Sequence, residues 1–265
     1  MRVLVTGGTG RLGQVLVPRL AEAGHSVRAM SRTARSGADV EWVRADLATG
    51  EGLAEAAAGV DTVAHLASAP YQRSYTRQVD LIGTKRLVAA AREAGIGHLL
   101  YMSIVGIDRI PWSFYKIKLE AERLLRAGGV PWSVVRATQF HCFVDEILGR
   151  LSRLPVLVVD PRVPGQPVDA RDVAEHLVGR LAAGPSNAIE DFGGPEVLRA
   201  DRSMRDWLAV RRIRRPLLRL RVPGKLGRAF RSGALTTTAQ PTGQITWREY
   251  LAETYEEPER SSTRP

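Results

Sequence analysis

The chain has 265 residues, of which 44% are hydrophobic, and its formal net charge is +10. This length suits one large domain, or one domain with a smaller annex, and the apolar content excludes wholesale disorder. The sequence contains one cysteine, has no apolar run near the roughly 20 residues that span a bilayer, and begins with an apolar stretch too short for a signal peptide. We therefore expect a cytoplasmic protein without a disulfide or a membrane partner.

The positive charge is concentrated towards the C-terminus. Residues 199–231 contain twelve Lys or Arg and two Asp. Such a stretch is typical of a nucleic-acid or membrane patch. Here Pro216, Pro223 and Gly224 interrupt any long basic helix. We interpret the stretch as a solvated, arginine-rich surface, which makes a nucleic-acid partner unexpected, although an anionic substrate would be attracted by the same charge.

Strand and helix signals alternate through the first 140 residues. Short β-branched runs predict strands, and apolar residues at helical spacing predict the helices between them. The predicted strands are residues 2–6, 25–32, 40–46, 61–67, 98–106 and 131–138. The predicted helices are residues 11–23, 52–60, 76–94 and 114–127. This order predicts an α/β fold with a doubly wound parallel sheet of the Rossmann type.

The rhythm changes after Thr138. A helix is predicted over 140–151, a strand over 155–159 and a helix over 168–184, which Asp169 or Asp172 would cap. We predict three regions: a dinucleotide-binding domain over residues 1–139, a mixed α/β substrate or lid region over 140–253 that packs partly back on the sheet, and a disordered tail over 254–265.

Three glycines follow the first predicted strand and open the first predicted helix. Gly7 allows a tight turn, Gly10 lets the backbone approach a pyrophosphate, and Gly13 lets the helix pack close to the strand. The helix N-terminus then offers unpaired N–H groups and a partial positive charge to the phosphates. The pattern predicts a dinucleotide-binding site.

The end of the second predicted strand indicates which dinucleotide binds. Folds that bind NAD place an acidic residue there, about 20 residues after the glycines, for the ribose 2′-hydroxyl. Here Ser31 and Arg32 occupy that place, and an arginine pairs with a 2′-phosphate instead. Arg11 and Arg35 would add positive charge. We predict a preference for NADP(H) over NAD(H).

Five motifs in order resemble one family. They are TGGTGRLG at 6–13, ADL at 45–47, VAHLAS at 63–68, HLLYMSIVG at 98–106 and WSVVRATQF at 132–140. Together they resemble the atypical short-chain dehydrogenase/reductases, in particular the NmrA-like group of NAD(P)-binding proteins. The resemblance covers residues 1 to about 180.

The resemblance implies roles for residues at the ends of the strands. Asp46 and Leu47 would contact the adenine, Ala67 and Ser68 would lie beside the nicotinamide ribose, and Ser103 would face the nicotinamide. Thr138, Gln139 and Phe140 would wall the nicotinamide pocket. The predicted cofactor-binding residues are Thr6, Gly7, Thr9, Gly10, Arg11, Leu12, Gly13, Arg32, Asp46, Leu47, Ala67, Ser68, Lys118 and Gln139.

The resemblance also implies a Tyr-x-x-x-Lys pair on the fifth helix, in which the tyrosine passes a proton to the substrate. Lys118 fits the lysine position, but Phe114 stands four residues earlier and carries no proton to give. Tyr115 is about 100° further around the helix. His141 is a second candidate donor, because an imidazole titrates in the useful range. The predicted catalytic residues are Lys118, Tyr115, Ser103 and His141.

These features predict an NADP(H)-dependent oxidoreductase of the short-chain dehydrogenase/reductase type. Hydride would pass to or from a small organic carbonyl or conjugated substrate, anionic or phenolic, and no metal site is expected. Two alternatives stay open. The first is a non-catalytic redox sensor that binds NADP(H), which the loss of the family tyrosine favours. The second is an isomerase or epimerase that uses a held cofactor.

Overall fold

The computed structural model describes residues 1–37, 40–70, 72 and 74–255. Its centre is a sheet of seven parallel strands in the order β3-β2-β1-β4-β5-β6-β9. These strands are β1 Arg2–Thr6, β2 Ser26–Ser31, β3 Glu41–Arg44, β4 Thr62–His65, β5 His98–Ile104, β6 Trp132–Ala137 and β9 Ile189–Phe192. The predicted parallel, doubly wound α/β sheet is confirmed.

Ten helices lie in the described part of the chain, some on the two faces of this sheet and the others beyond them. They are α1 Arg11–Glu22, α2 Leu53–Ala57, α3 Ser74–Thr76, α4 Thr84–Glu93, α5 Ser113–Arg126, α6 His141–Leu151, α7 Ala170–Ala182, α8 Ala200–Val210, α9 Gly224–Arg231 and α10 Trp247–Tyr255. Alternate strand residues enter opposite cores: Val3 and Val5 pack with the apolar residues of α1 and α7, and Leu4 packs with those of α2, α4 and α5.

One predicted helix is interrupted. Periodicity predicts a single helix over 76–94, but the chain forms α3, then a π-helical segment over Arg77–Gly83, and then α4. The π-helix is a rare conformation that is frequent at functional sites. Asp80 lies in its middle, and 1% of it is exposed. The segment therefore brings a buried carboxylate to the sheet.

The rest of the chain forms a second, smaller core. Two short sheets lie there, one pairing β7 Leu157–Val159 with β11 Leu217–Arg219, and one pairing β8 Pro164–Gly165 with β10 Leu198–Arg199. The buried core residues of this part are Leu148, Leu157, Val159, Leu198, Met204, Trp207, Leu208, Trp247 and Leu251. None of the described helices is long and apolar enough to cross a membrane.

The main sheet extends past the boundary predicted at 139/140, because β9 adds to its edge and α7 packs on α1. The division into two domains stays a prediction. The predicted tail over 254–265 begins too early, since α10 runs to Tyr255. Its remainder, residues 256–265, lies outside the described residues.

Candidate cofactor and active site

The glycine loop joins β1 to α1 in a tight turn. Gly7 has φ +72°, and a Cβ there would lie 2.8 Å from the backbone nitrogen of Ala67. A Cβ on Gly13 would lie 2.2 Å from the carbonyl oxygen of Gly7. Gly10 caps α1 without a side-chain hydrogen bond from any described residue. The first N–H groups of α1 are thus left for an anionic ligand.

A crevice of about 260 Å³ opens beside this loop, at the carboxyl ends of β1 to β4. Ligands of open parallel sheets bind at such ends. The crevice is lined by Gly7, Thr9, Gly10, Met30, Ser31, Arg32, Ala45, Asp46, Leu47, Leu66, Ala67, Ser68, Ala69, Gln72, Tyr75 and Val79. Most of the residues predicted for the adenosine half of a dinucleotide therefore meet in one place.

Arg32, directly after β2, forms part of the wall of the crevice. Arg32 Nη1 donates a hydrogen bond to the hydroxyl of Tyr75 at 2.8 Å. The two other arginines predicted nearby point elsewhere. Arg11 pairs with Glu146 of α6, and the Arg35 guanidinium lies 5.5 Å from the ring centre of Trp42. Of the three, Arg32 alone lines the crevice.

Asp46 shapes the turn that follows β3 at the edge of the crevice. Its Oδ1 accepts a hydrogen bond from the backbone nitrogen of Ala48 at 2.7 Å, and its carbonyl oxygen accepts from Gly50 at 2.7 Å. Leu47, beside it, is buried. One carboxylate oxygen of Asp46 thus fixes the local backbone, which positions Leu47 against the crevice.

A buried histidine ties the glycine loop to the helix behind it. His65 Nδ1 lies 2.7 Å from Thr6 Oγ1, and His65 Nε2 lies 2.9 Å from Thr84 Oγ1. Thr84 donates its own proton to the carbonyl oxygen of Asp80, so it accepts from Nε2–H, and Nδ1 accepts from Thr6. Burial lowers the pKa of His65 to about 3, and the charge of Lys118 acts in the same direction.

The structure connects Ser68 to a carboxylate that sequence reasoning missed. Ser68 Oγ donates to Asp80 Oδ1 at 2.5 Å, and the Ala69 backbone nitrogen donates to Asp80 Oδ2 at 2.9 Å. Ala67 is held by the loop, since its nitrogen donates to Thr6 Oγ1 at 3.3 Å. The available signal for Asp80 was its helical spacing, which puts this acidic residue on the apolar face of the predicted helix together with Leu87.

Lys118 reaches this same cluster from α5. Its ammonium donates to the Met102 carbonyl oxygen at 2.9 Å, lies 4.0 Å from Asp80 Oδ1, and sits 4.3 Å from the ring centre of Tyr101. Burial lowers the pKa of Lys118, while the carboxylates of Asp80 and Glu122 oppose that shift. Ser68, Asp80 and Lys118 therefore form one polar chain beneath the crevice.

The aromatic residues of α5 lie in an apolar cluster. Phe114 and Tyr115 are both buried, with ring centres 5.9 Å apart, and Trp112 lies 5.3 Å from Tyr115. Ala234 and the partly buried Phe230 pack on the same cluster and cover it. The position where the family tyrosine was expected thus lies in a buried apolar cluster that carries one phenol, that of Tyr115.

Ser103 does not stand open at the crevice. It shares the face of β5 with Tyr101, which points towards α5, and its Oγ donates to Glu122 Oε1 at 2.6 Å. Glu122 also forms a bidentate pair with Arg136 of β6, at 2.9 and 2.7 Å. The predicted role of Ser103 at the nicotinamide is replaced here by a buried hydrogen bond within a structural network.

His141 is also set apart from the other candidates. Its ring packs against those of Trp247 and Tyr250, with ring centres 5.5 and 5.2 Å away, and its Nδ1 lies 3.5 Å from Asp169 Oδ2. Asp169 caps α7, as the sequence predicts, by accepting from the Arg171 backbone nitrogen at 2.9 Å. As a proton donor His141 is therefore disfavoured, because aromatic rings of the smaller core enclose it.

The residues after β6 differ in whether their side chains form hydrogen bonds. Thr138 Oγ1 accepts a hydrogen bond from Gly194 at 3.3 Å. Gln139 Nε2 is buried and has no hydrogen-bond partner among the described residues. Burial raises the pKa of Cys142, so its thiol stays protonated and is a poor nucleophile. The Gln139 amide nitrogen and the two ring nitrogens of His141 are the buried polar atoms of the described residues at this strand end that lack a hydrogen bond.

Comparison with known proteins decides the family. A model of an NAD(P)H-binding family matches residues 7–183, which include the glycine loop, the crevice and α5. The chain belongs to this NAD(P)H-binding family. The predicted nucleotide-binding function is thereby confirmed at that level.

Two proteins similar in sequence to this NAD(P)H-binding chain are named as reductases. The (4-alkanoyl-5-oxo-2,5-dihydrofuran-3-yl)methyl phosphate reductase of Streptomyces griseus is 31% identical over 207 residues, which are 75% of this chain and 70% of that protein. The 2-alkyl-3-oxoalkanoate reductase of Stenotrophomonas maltophilia is 44% identical over 109 residues. That match covers 39% of this chain and spans only 33% of that relative's length.

Solved structures share the fold at low sequence identity. The NADPH-dependent quinone oxidoreductase QOR2 of Escherichia coli, complexed with NADPH, matches with a TM-score of 0.79. Its sequence identity is 14%, over 96% of this chain and 99% of that one. A nucleoside-diphosphate-sugar epimerase of Staphylococcus aureus has a TM-score of 0.77, with 16% identity over 95% and 99% of the two chains. These likenesses establish the Rossmann-like architecture.

Proposed function

We infer that the protein is an NADP(H)-dependent oxidoreductase of the atypical, NmrA-like short-chain type, acting on a small carbonyl or conjugated compound. The observation that carries this is Arg32, which lines the crevice and donates to Tyr75 where an NAD-binding fold would place a carboxylate. A guanidinium fixed in this way matches the charge and shape of a 2′-phosphate.

The described residues fit such a dinucleotide in three places. Gly7 and Gly13 keep the loop tight, because a Cβ on either would clash with the protein backbone, and the first N–H groups of α1 are then left for the pyrophosphate. Arg32 supplies the positive charge for the ribose phosphate. The buried Gln139 Nε2 has no hydrogen-bond partner among the described residues, at the strand end where the nicotinamide carboxamide would lie. When bound, the cofactor supplies the hydride.

The chain's own residues then position the reactants. Lys118 places its amine 4.0 Å from Asp80, which Ser68 also contacts, beneath the crevice. We assign the proton donor to Tyr115, which lies three residues before Lys118 and so shares its helix face. Phe114 and Phe230 pack in the same apolar cluster as Tyr115, and low polarity around a phenol strengthens the hydrogen bond that it donates to a substrate oxygen.

The substrate class follows from charge and from the two reductases described above. Both of their names specify an oxo group, an alkyl or alkanoyl chain and an anion, either carboxylate or phosphate. We propose the same combination here, because the net charge of +10 attracts anions and the covering cluster is apolar.

Loss of NADPH absorbance with a panel of quinones, enones, aldehydes and alkyl 3-oxo acids tests the assignment. Turnover of any of them supports the enzyme. Silence across the panel, with tight NADPH binding intact, favours the sensor alternative. Tyr115→Phe is expected to lower kcat by about 100-fold or more, the typical contribution of a general acid. His141→Gln should leave kcat near that of the wild type, and the reverse pattern would overturn the choice of donor.

A further inference from the structure

The small sheet of β7 and β11 presents an apolar face to solvent. Val158 pairs with Leu218 in this sheet, so their side chains lie side by side on one face. They are 53% and 47% exposed, whereas Leu157, on the opposite face, is 2% exposed. The exposed apolar strip consists of Val156, Val158, Leu218, Leu220, Val222 and Leu226. Single exposed apolar residues are ordinary, but a contiguous set marks a binding surface.

Cations flank the apolar strip in the chain. Exposed arginines precede β11 at Arg214 and Arg215, and exposed cations follow it at Arg221 and Lys225. In the described part of the chain, no carboxylate lies within ion-pair distance of any of these four. Their charge is therefore available to a partner.

The aspartates of this stretch do not neutralise the strip. Asp201 is buried and pairs with Arg219, whose side chain belongs to the opposite face of β11. Asp206 pairs with Arg248 of α10. The outward face therefore combines aliphatic side chains with uncompensated positive charge.

Charge selects among the partners that could cover this face. A second copy of the same strip would bring like charges together, which opposes association. A nucleic acid would use the cations but would bury no aliphatic side chains. The surface of an anionic lipid bilayer accommodates both, because aliphatic groups enter the acyl boundary while arginine and lysine bind the headgroups.

We propose that the apolar strip and its flanking cations dock the protein on anionic lipid membranes. This reverses the expectation from the sequence that no membrane takes part. The sequence alone separates Val158 from Leu218 by sixty positions, and only the strand pairing makes them one surface. The strip also adjoins the candidate active site, since α9 carries Leu226 in the strip and, four residues later, Phe230 over the cluster of Tyr115.

Co-sedimentation of the full chain with lipid vesicles tests the proposal, independently of any activity. The probes are vesicles of phosphatidylcholine alone and of phosphatidylcholine with phosphatidylglycerol. Two matched pairs of variants separate the contribution of the apolar side chains to membrane binding from that of the cations. Val158→Asp lies in the strip and Val197→Asp outside it, both valines being more than half exposed. Lys225→Glu lies at the strip and Lys85→Glu on α4, both lysines being exposed.

We expect binding to the anionic vesicles only, reduced about tenfold or more by Val158→Asp and severalfold by Lys225→Glu, with both control variants unchanged. Thermal unfolding of each variant checks that the fold is kept. The proposal is overturned by absence of binding, by equal effects of strip and control variants, or by loss with Lys225→Glu but not with Val158→Asp. It is also overturned if the wild type is a dimer that Val158→Asp dissociates, or if RNA binds with an affinity that Val158→Asp leaves intact.

Discussion

Acid should destabilise the protein through His65, beneath the glycine loop. The ring is fully buried, and it accepts from Thr6 through Nδ1 while donating to Thr84 through Nε2. Burial, reinforced by the charge of Lys118, lowers its pKa from 6.5 to about 3. A proton on Nδ1 would also face the Thr6 hydroxyl proton, which then has to turn away.

The folded pKa lies below the unfolded value, so the unfolded chain takes up the proton first as the pH falls. The contribution to stability is therefore complete above pH 6.5 and is lost progressively towards pH 3. At about 1.4 kcal/mol per pKa unit, the loss between pH 7 and pH 5 is about 2 kcal/mol.

Urea unfolding at pH 7 and pH 5, at constant ionic strength, measures this loss. His65→Gln cannot take up the proton, so the decrease in its free energy of unfolding should be smaller than that of the wild type by about 2 kcal/mol. His25→Gln, in the turn after α1, is the matched control and should behave as the wild type does. Equal decreases for the wild type and His65→Gln would refute the reasoning.

Two further substitutions test the site's framework. Gly13→Ala would place a methyl group 2.2 Å from the Gly7 carbonyl oxygen. This variant should bind no NADPH in calorimetry and should have a lower Tm than the wild type. Wild-type affinity for NADPH would contradict the tight packing of the loop. Glu122→Gln leaves Arg136 without its bidentate partner, which should cost about 3 kcal/mol in urea unfolding. Glu120→Gln, exposed on the same helix, is its control and should cost less than about 1 kcal/mol; equal costs would contradict the buried network.

The fold and the nucleotide crevice follow from local signals in the sequence. Strand and helix patterns over the first 140 residues suffice for six of the seven strands of the parallel sheet, because each crossover is short. Gly7, Gly13 and Arg32 are recognisable because steric and charge demands restrict those positions to few residue types. A sequence motif of this kind carries its own physical reason, which is why this half of the site could be predicted.

The catalytic half could not be predicted as well, because it depends on which way side chains face. Ser103 lies at the predicted strand end, but side chains alternate between the two faces of β5, and the side chain of Ser103 is on the face that packs on α5, where it donates to Glu122. Asp80 lies in a π-helical segment. The extra residue in a π-helical turn cannot be recognised from the spacing of apolar residues in the sequence. The pairing of β7 with β11 is likewise a long-range contact without a local signal.

Titration of the wild type and of Arg32→Ala with NADPH and NADH, by isothermal calorimetry, tests the central claim most directly. Arg32 donates to Tyr75 at the crevice wall, so the wild type should bind NADPH at least about tenfold more tightly than NADH, and Arg32→Ala should lose that preference while keeping its affinity for NADH. Equal affinities in the wild type, or a preference for NADPH that survives in Arg32→Ala, would contradict the assignment of this crevice to NADP(H).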